Sequence, residues 1–264
     1  RGRLARRRPA AGPPGGPAAM AGTEKAMEKA AKERGVYGRM MGSIKTSHSL
    51  GNKVRMLKLP LILTDASLYA GAISNFYWLT RTLEAVLDRR VAAEPDGLVA
   101  ELRRQMTLRT GAGYEADLAE LFGERWTERA AAARTPATAA YCAALEAAGD
   151  VELVAAAFIL YGALVVGGGK ATQKKVKKVF PACQHRLFDI ADDMAEARRG
   201  FKAAFNKFAE AHPEHEDALV REAARFMALN NTVVLSIPCL PRWFWPAAAV
   251  ALAGAAAALL RSRR

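Results

Sequence analysis

The chain has 264 residues, of which 51% are hydrophobic, and it carries a formal net charge of +13. That is enough apolar material for one sizeable core and excludes a wholly disordered chain. Three widely spaced cysteines, Cys142, Cys183 and Cys239, exclude a disulfide framework and a CxxC metal site, and fit a reducing compartment.

The positive charge is clustered. Five of the first eight residues are Arg, Arg261, Arg263 and Arg264 end the chain, and a third group runs from Lys170 to Lys178. A nucleic-acid partner would call for basic residues interleaved with aromatics or a recognisable motif. Neither is present, so no nucleic-acid partner is expected.

Residues 1–19 are Arg, Pro, Gly and Ala apart from Leu4, and cannot offset the entropy of ordering. They are expected to form a disordered leader, with the domain spanning 20–240. Thr23 is a candidate N-cap for a helix over 23–40. A second helix is expected from Met41 to Lys58, with Pro60 allowing a turn. From Leu61 to Arg90 the apolar residues Leu68, Ala72, Phe76, Leu79, Leu83 and Leu87 recur at helical spacing. Asp96-Gly97 breaks the pattern, and helices are expected over 98–108, 114–122 and Pro136–Ala148. Val151–Val166 is nearly all apolar, and two more helices are expected over Arg186–Ala211 and Glu214–Leu235. No segment shows strand alternation bounded by hairpin signals, so the domain is expected to be all-α.

Trp243–Leu260 carries no charge and lies between Arg242 and Arg261. Eighteen helical residues rise about 27 Å, enough to cross a bilayer core. The Trp243-Phe244-Trp245 cluster and the charged ends favour a transmembrane anchor with the domain in the cytosol. The alternative is a buried, Ala-rich terminal helix.

Histidine is scarce. His212 and His215 lie in a polar turn, and His185 falls in a loop. His48 lies on an early helix, where a lone His is more often packed or solvated than a ligand. In Ala157–Lys170 an apolar helix runs into Gly167, Gly168 and Gly169. Three glycines either end a helix or let its backbone kink against something flat.

Taken together, these features resemble the haem oxygenase family. Ile44–His48 is similar to the family's proximal helix. Phe76-Tyr77-Trp78 followed by Leu83-Glu84 resembles its tyrosine-rich helix, and Phe122–Trp126, then Pro136 and Tyr141, its aromatic-Gly-x-Arg-Trp region. Ala157–Gly168 is similar to the distal helix, and Phe201-Lys202 and Ala223–Asn230 to the last two helices. The resemblance covers roughly residues 36–237, and a C-terminal membrane tail is a feature of animal-type members.

The resemblance implies a multi-helix domain plus a C-terminal transmembrane helix, tail-anchored in the endoplasmic reticulum. It implies haem as substrate and cofactor, with iron held by His48. Bound haem would be contacted by Lys45, Phe158, Tyr161, Gly167, Gly168, Lys202, Asn206, Lys207 and Asn230. It also implies haem degradation to biliverdin, carbon monoxide and iron, using O2 and electrons from an NADPH-dependent microsomal reductase. Lys174, Lys175, Lys177 and Lys178 are candidate docking charges for that reductase, or simply a solvated helix face. The catalytic positions would be Gly167, Gly168 and Leu164. At Leu164 the family carries an Asp that orders water for proton delivery, and no carboxylate lies between Glu152 and Asp189. The family's Ser-Gly-Gly-Gln is here Val166-Gly167-Gly168-Gly169, and a propionate-holding Arg aligns with Asn206. The alternative is therefore a catalytically impaired haem-binding or scaffold protein on the same fold. A thiaminase-like hydrolase lacks a site, because no cysteine sits beside an obvious acid/base partner.

Overall fold

The computed structural model describes residues 35–106, 108–167 and 169–241, together with 244, 250, 252, 253 and 255. The expected leader, the Thr23 cap, Gly168 and most of the expected anchor lie outside the described residues. Those residues form ten α-helices, two 3-10 turns and no strand, as the periodicity predicted.

The first helix, α1 (Gly35–Ile62), runs through the boundary expected at 40/41 and includes Pro60. Val36, Met40, Ile44 and Gly51 form one continuous buried face across that boundary, and no capping residue interrupts it. Pro60 sits in the last turn, where its missing N–H removes a single helical bond. Leu63 N–H still donates to Leu59 O at 2.9 Å. The break comes instead at Asp65, whose Oδ1 accepts from Ser67 N and Leu68 N at 2.6 and 3.1 Å. Two orphan amides of α2 (Ala66–Ala93) are thereby satisfied.

The next four helices are α3 (Leu98–Gln105), α4 (Gly111–Phe122), α5 (Trp126–Ala132) and α6 (Pro136–Glu146). Periodicity did not signal α5, which is only seven residues long. Glu84 on α2 accepts from Thr110 N and Gly111 N, at 2.7 and 3.3 Å, and so fixes the start of α4. Asn75, fully buried on α2, accepts from Thr135 N and Thr138 Oγ1 and donates to Gly71 O and Ala133 O. Every polar atom of that buried amide is partnered, which lets it tie α2 to the α5–α6 turn.

At the centre lies α7 (Asp150–Val165), with Leu153 through Ala157 each 0% exposed. Helices α2 and α3 pack on it, as do α9 (Met194–Ala211) and α10 (Glu216–Ser236). Helix α8 (Gly169–Val179) leaves α7 at 53°. The helix expected from Arg186 begins only at Met194. Buried Asp117 accepts from Arg186 N and Leu187 N, at 2.7 and 2.9 Å, and holds Arg186–Phe188 as a 3-10 turn. Asp193 then caps α9 through Ala195 N and Glu196 N. Helix α1 lies chiefly along α10. No single helix among the described residues is long and apolar enough to cross a membrane.

Candidate functional site

All four histidines are described, and their surroundings separate them. His185 is fully buried, with Nδ1 3.2 Å from Tyr69 Oη and Nε2 3.0 Å from Phe180 O. His212 Nε2 lies 2.7 Å from Glu101 Oε2, and His215 Nε2 lies 3.6 Å from Glu214. His48 is exposed and, among the described residues, neither ring nitrogen has a protein partner. Only this imidazole is both accessible and uncommitted, as a metal ligand must be.

His48 lies on a definite face of α1. Tyr37, Met41, His48 and Asn52 recur at spacings of four, seven and four, which keeps them in one line along a helix. Tyr37 packs edge-on against Phe158 of α7, with ring centroids 5.7 Å apart. The line that carries His48 therefore starts against α7 and continues about 16 Å beyond that contact.

Helix α7 is buried over most of its circumference, but near its C-terminal end Gly162 and Ala163, with Val166 and Gly167 just beyond, stay accessible. At spacings of three and four these residues form one narrow strip made chiefly of glycine and alanine. Gly167 N–H donates to Gly162 O at 3.0 Å, a wider turn than the regular helix makes. A Cβ at Gly167 would lie 2.3 Å from Ala163 O, so only glycine fits that turn. The glycine run thus ends one helix and redirects the chain into the next, and it also leaves a smooth accessible surface.

The structure separates the remaining expected residues. Leu164 is 9% exposed and sits roughly 100° round the helix from Ala163, on the packed flank rather than on the strip. Tyr161 is also turned away from the strip. Burial pushes its phenol well above the usual range, and Glu84, Arg103 and Arg109 are its charged neighbours. Phe158 is a buried wall residue, stacked on Phe201 at 6.0 Å and edge-on to Phe205 at 5.2 Å. Lys45, Lys202 and Lys207 are exposed cations without an ion-pair partner among the described residues, and Asn230 is half-buried on α10. The Oδ1 of Asn206 is already engaged, accepting Tyr37 N–H at 3.1 Å, so it ties α9 to the start of α1. Gly168 lies outside the described residues.

This set fits haem. A planar ligand with a metal centre needs a free nitrogen donor, a wall without projecting side chains, and cations for its carboxylates. His48, the Gly162–Ala163–Gly167 strip and the three lysines offer one of each. Ala163 and Gly162 were missed in the sequence, although Ala163 stands four residues before Gly167 on the same helix face, which was the available signal. Asn75, Asp117 and His185 were missed as well. They are buried polar residues that order loops, and nothing in their local sequence marks them.

An all-α domain with an accessible helical histidine and a glycine-ended central helix has parts that a haem-binding helical protein uses. The Heme oxygenase family model matches residues 39–236. This chain belongs to the haem oxygenase family. Among solved structures it is similar to heme oxygenase 2 from Chlamydomonas reinhardtii without heme, with TM-score 0.72 and 23% identity over 79% of this chain and 99% of that one. It is also similar to heme oxygenase-1 from Synechocystis sp. PCC6803 in complex with heme, with TM-score 0.62 and 18% identity over 76% and 90% of the two chains. Heme oxygenase from Leptospira interrogans gives TM-score 0.62 and 15% identity over 76% and 98%. No curated protein sequence matches the chain.

Proposed function

We propose that this protein binds haem through His48 and degrades it to biliverdin, carbon monoxide and iron. The observation that carries the reading is that His48, alone among the four histidines, is accessible and has no partner among the described residues, on the α1 line that meets α7. Haem supplies both the redox centre and the ring that is opened. The imidazole of His48 would hold the haem iron. The glycine-alanine strip would let the α7 backbone come close to a flat ligand, because no large side chain projects from it. Lys45, Lys202 and Lys207 hold the propionates. Asn206 serves the α1 start rather than the ligand. The test is a haem absorbance titration of wild type and His48→Ala, followed by reductant under air. Wild type is expected to give a low-spin haem spectrum and then biliverdin absorbance. A spectrum unchanged in His48→Ala would overturn the assignment.

Electrons are proposed to come from an NADPH-dependent microsomal reductase that docks on α8. Lys174, Lys175, Lys177 and Lys178 are all exposed there, and none has an ion-pair partner among the described residues. Turnover with the reductase should fall as salt screens those charges. The segment 243–260 is proposed to anchor the protein in the endoplasmic reticulum membrane. Alkaline carbonate extraction tests this, since release of the intact protein would count against a spanning tail.

Leu164 favours a second reading, haem binding with impaired turnover. A leucine has neither donor nor acceptor and cannot hold an ordered water, which needs two or more polar partners. Leu164→Asp is expected to raise biliverdin formation. Wild-type turnover as fast as that of Leu164→Asp would remove the second reading.

A further inference from the structure

We propose that the C-terminal half of α1 is a membrane-surface face that lies against anionic lipid, in addition to any anchoring by the tail. Leu50, Leu57 and Leu61 are 61%, 76% and 43% exposed. Their spacing of seven and four places them in one line along the helix. That line lies roughly opposite the one carrying His48, so these leucines are not a wall of the haem site. Lys53 stands between them, three residues after Leu50 and four before Leu57, and is itself exposed. No Asp or Glu occurs from Gly35 to Thr64, whereas Lys53, Arg55 and Lys58 fall within six residues.

The position of this face in the fold gives the second observation. Lys58 Nζ donates to Val234 O and Leu235 O at 3.0 and 2.7 Å, which brings the end of α10 to this end of α1. Leu235, 61% exposed, adds to the apolar surface there. The apolar stretch Trp243–Leu260 follows eight residues later, so a chain whose tail enters a bilayer holds this end of the domain close to the lipid. Exposed leucines interleaved with cations that no carboxylate among the described residues neutralises are the composition of an interfacial helix on anionic lipid. The charge decides against the other occupants. The tail itself is flanked by Arg242, Arg261, Arg263 and Arg264, and a second copy would set one basic face against another.

The inference extends the membrane-anchor reading above, and a label placed on α1 keeps the two separable. The full chain carrying Cys239→Ser and Leu57→Cys is labelled with a nitrobenzoxadiazole dye. Cys142 and Cys183 are each 4% exposed and stay unlabelled. Phosphatidylcholine vesicles with and without phosphatidylserine are then added, and sedimentation with the vesicles is measured alongside fluorescence. Phosphatidylserine vesicles are expected to shift the emission to the blue, while the same dye at Glu128→Cys on α5 does not shift. Lys53→Gln should weaken the partitioning roughly fivefold, the worth of one cation near an anionic surface. Sedimentation without a shift would mean that the tail alone engages the membrane, and would overturn the proposal. So would neither sedimentation nor shift, an equal shift on phosphatidylcholine alone, or a shift that grows with protein concentration in the absence of lipid.

Discussion

His48 makes no hydrogen bond or ion pair with the described residues, so its imidazole contributes little to folding. His48→Ala should abolish the low-spin haem spectrum and change unfolding free energy by no more than about 0.5 kcal/mol. Circular dichroism melts of both proteins check this. A large loss of stability would mean that the residue is structural. Asp88 is the opposite case. Both its oxygens accept from Arg109, at 2.9 and 2.7 Å, and that hydrogen bonding holds its carboxyl below the usual carboxylate range. A depressed folded-state pKa gives stability that is present above the unfolded pKa and lost as pH falls through the lowered one. The pair is largely exposed, so the gain is at most about 1 kcal/mol. Urea melts should show Asp88→Asn weaker than wild type at neutral pH, with the difference shrinking as pH falls below the usual carboxylate range.

Between elements, the α1–α10 seam depends on one glycine. A Cβ at Gly51 would lie 2.0 Å from Asn231 Oδ1, while Asn231 Nδ2 donates to Ser47 O and Oγ at 2.8 Å each. Gly51→Ala should displace that amide and cost about 1–3 kcal/mol in thermal melts. Adding Asn231→Ala removes the collision and should restore part of the loss. Failure to restore any would show that backbone packing, not the amide, sets the approach. At the α7–α8 junction, Gly167→Ala drives a methyl into Ala163 O, and it should weaken haem affinity more than it lowers the melting temperature. Equal effects on both would argue that the turn serves folding alone. Element boundaries also show what local sequence signals. Asp65 is a legible N-cap that outranks Pro60 as a break, because two satisfied amides fix a helix start while a proline in a last turn removes only one bond.

For the whole molecule, the core is closed by α7 and the helices around it, and α10 ends at Ser236, before the apolar tail. Truncation after Pro241 should therefore leave a folded, cooperatively melting domain that binds haem. Gel filtration and a melt of the truncated chain check this, and aggregation would mean that the tail covers part of the domain.

Apolar patterning by itself determined the all-α class and placed α6, α7 and α10 within a few residues, because α6 and α10 bury one face each while α7, apolar nearly all round, is buried over most of its circumference. The glycine run and His48 were legible for the same local reason. They break, or stand out from, a regular pattern. Tertiary structure alone decided which histidine is free, since His185 is consumed by Tyr69 and Phe180 O and His212 by Glu101, contacts spanning up to 116 residues of sequence. It also decided the late start of α9, because Asp117 reaches across 69 residues to hold the backbone at Arg186. A local pattern records what a residue's neighbours along the helix require. Partners that distant are brought together only when the core closes.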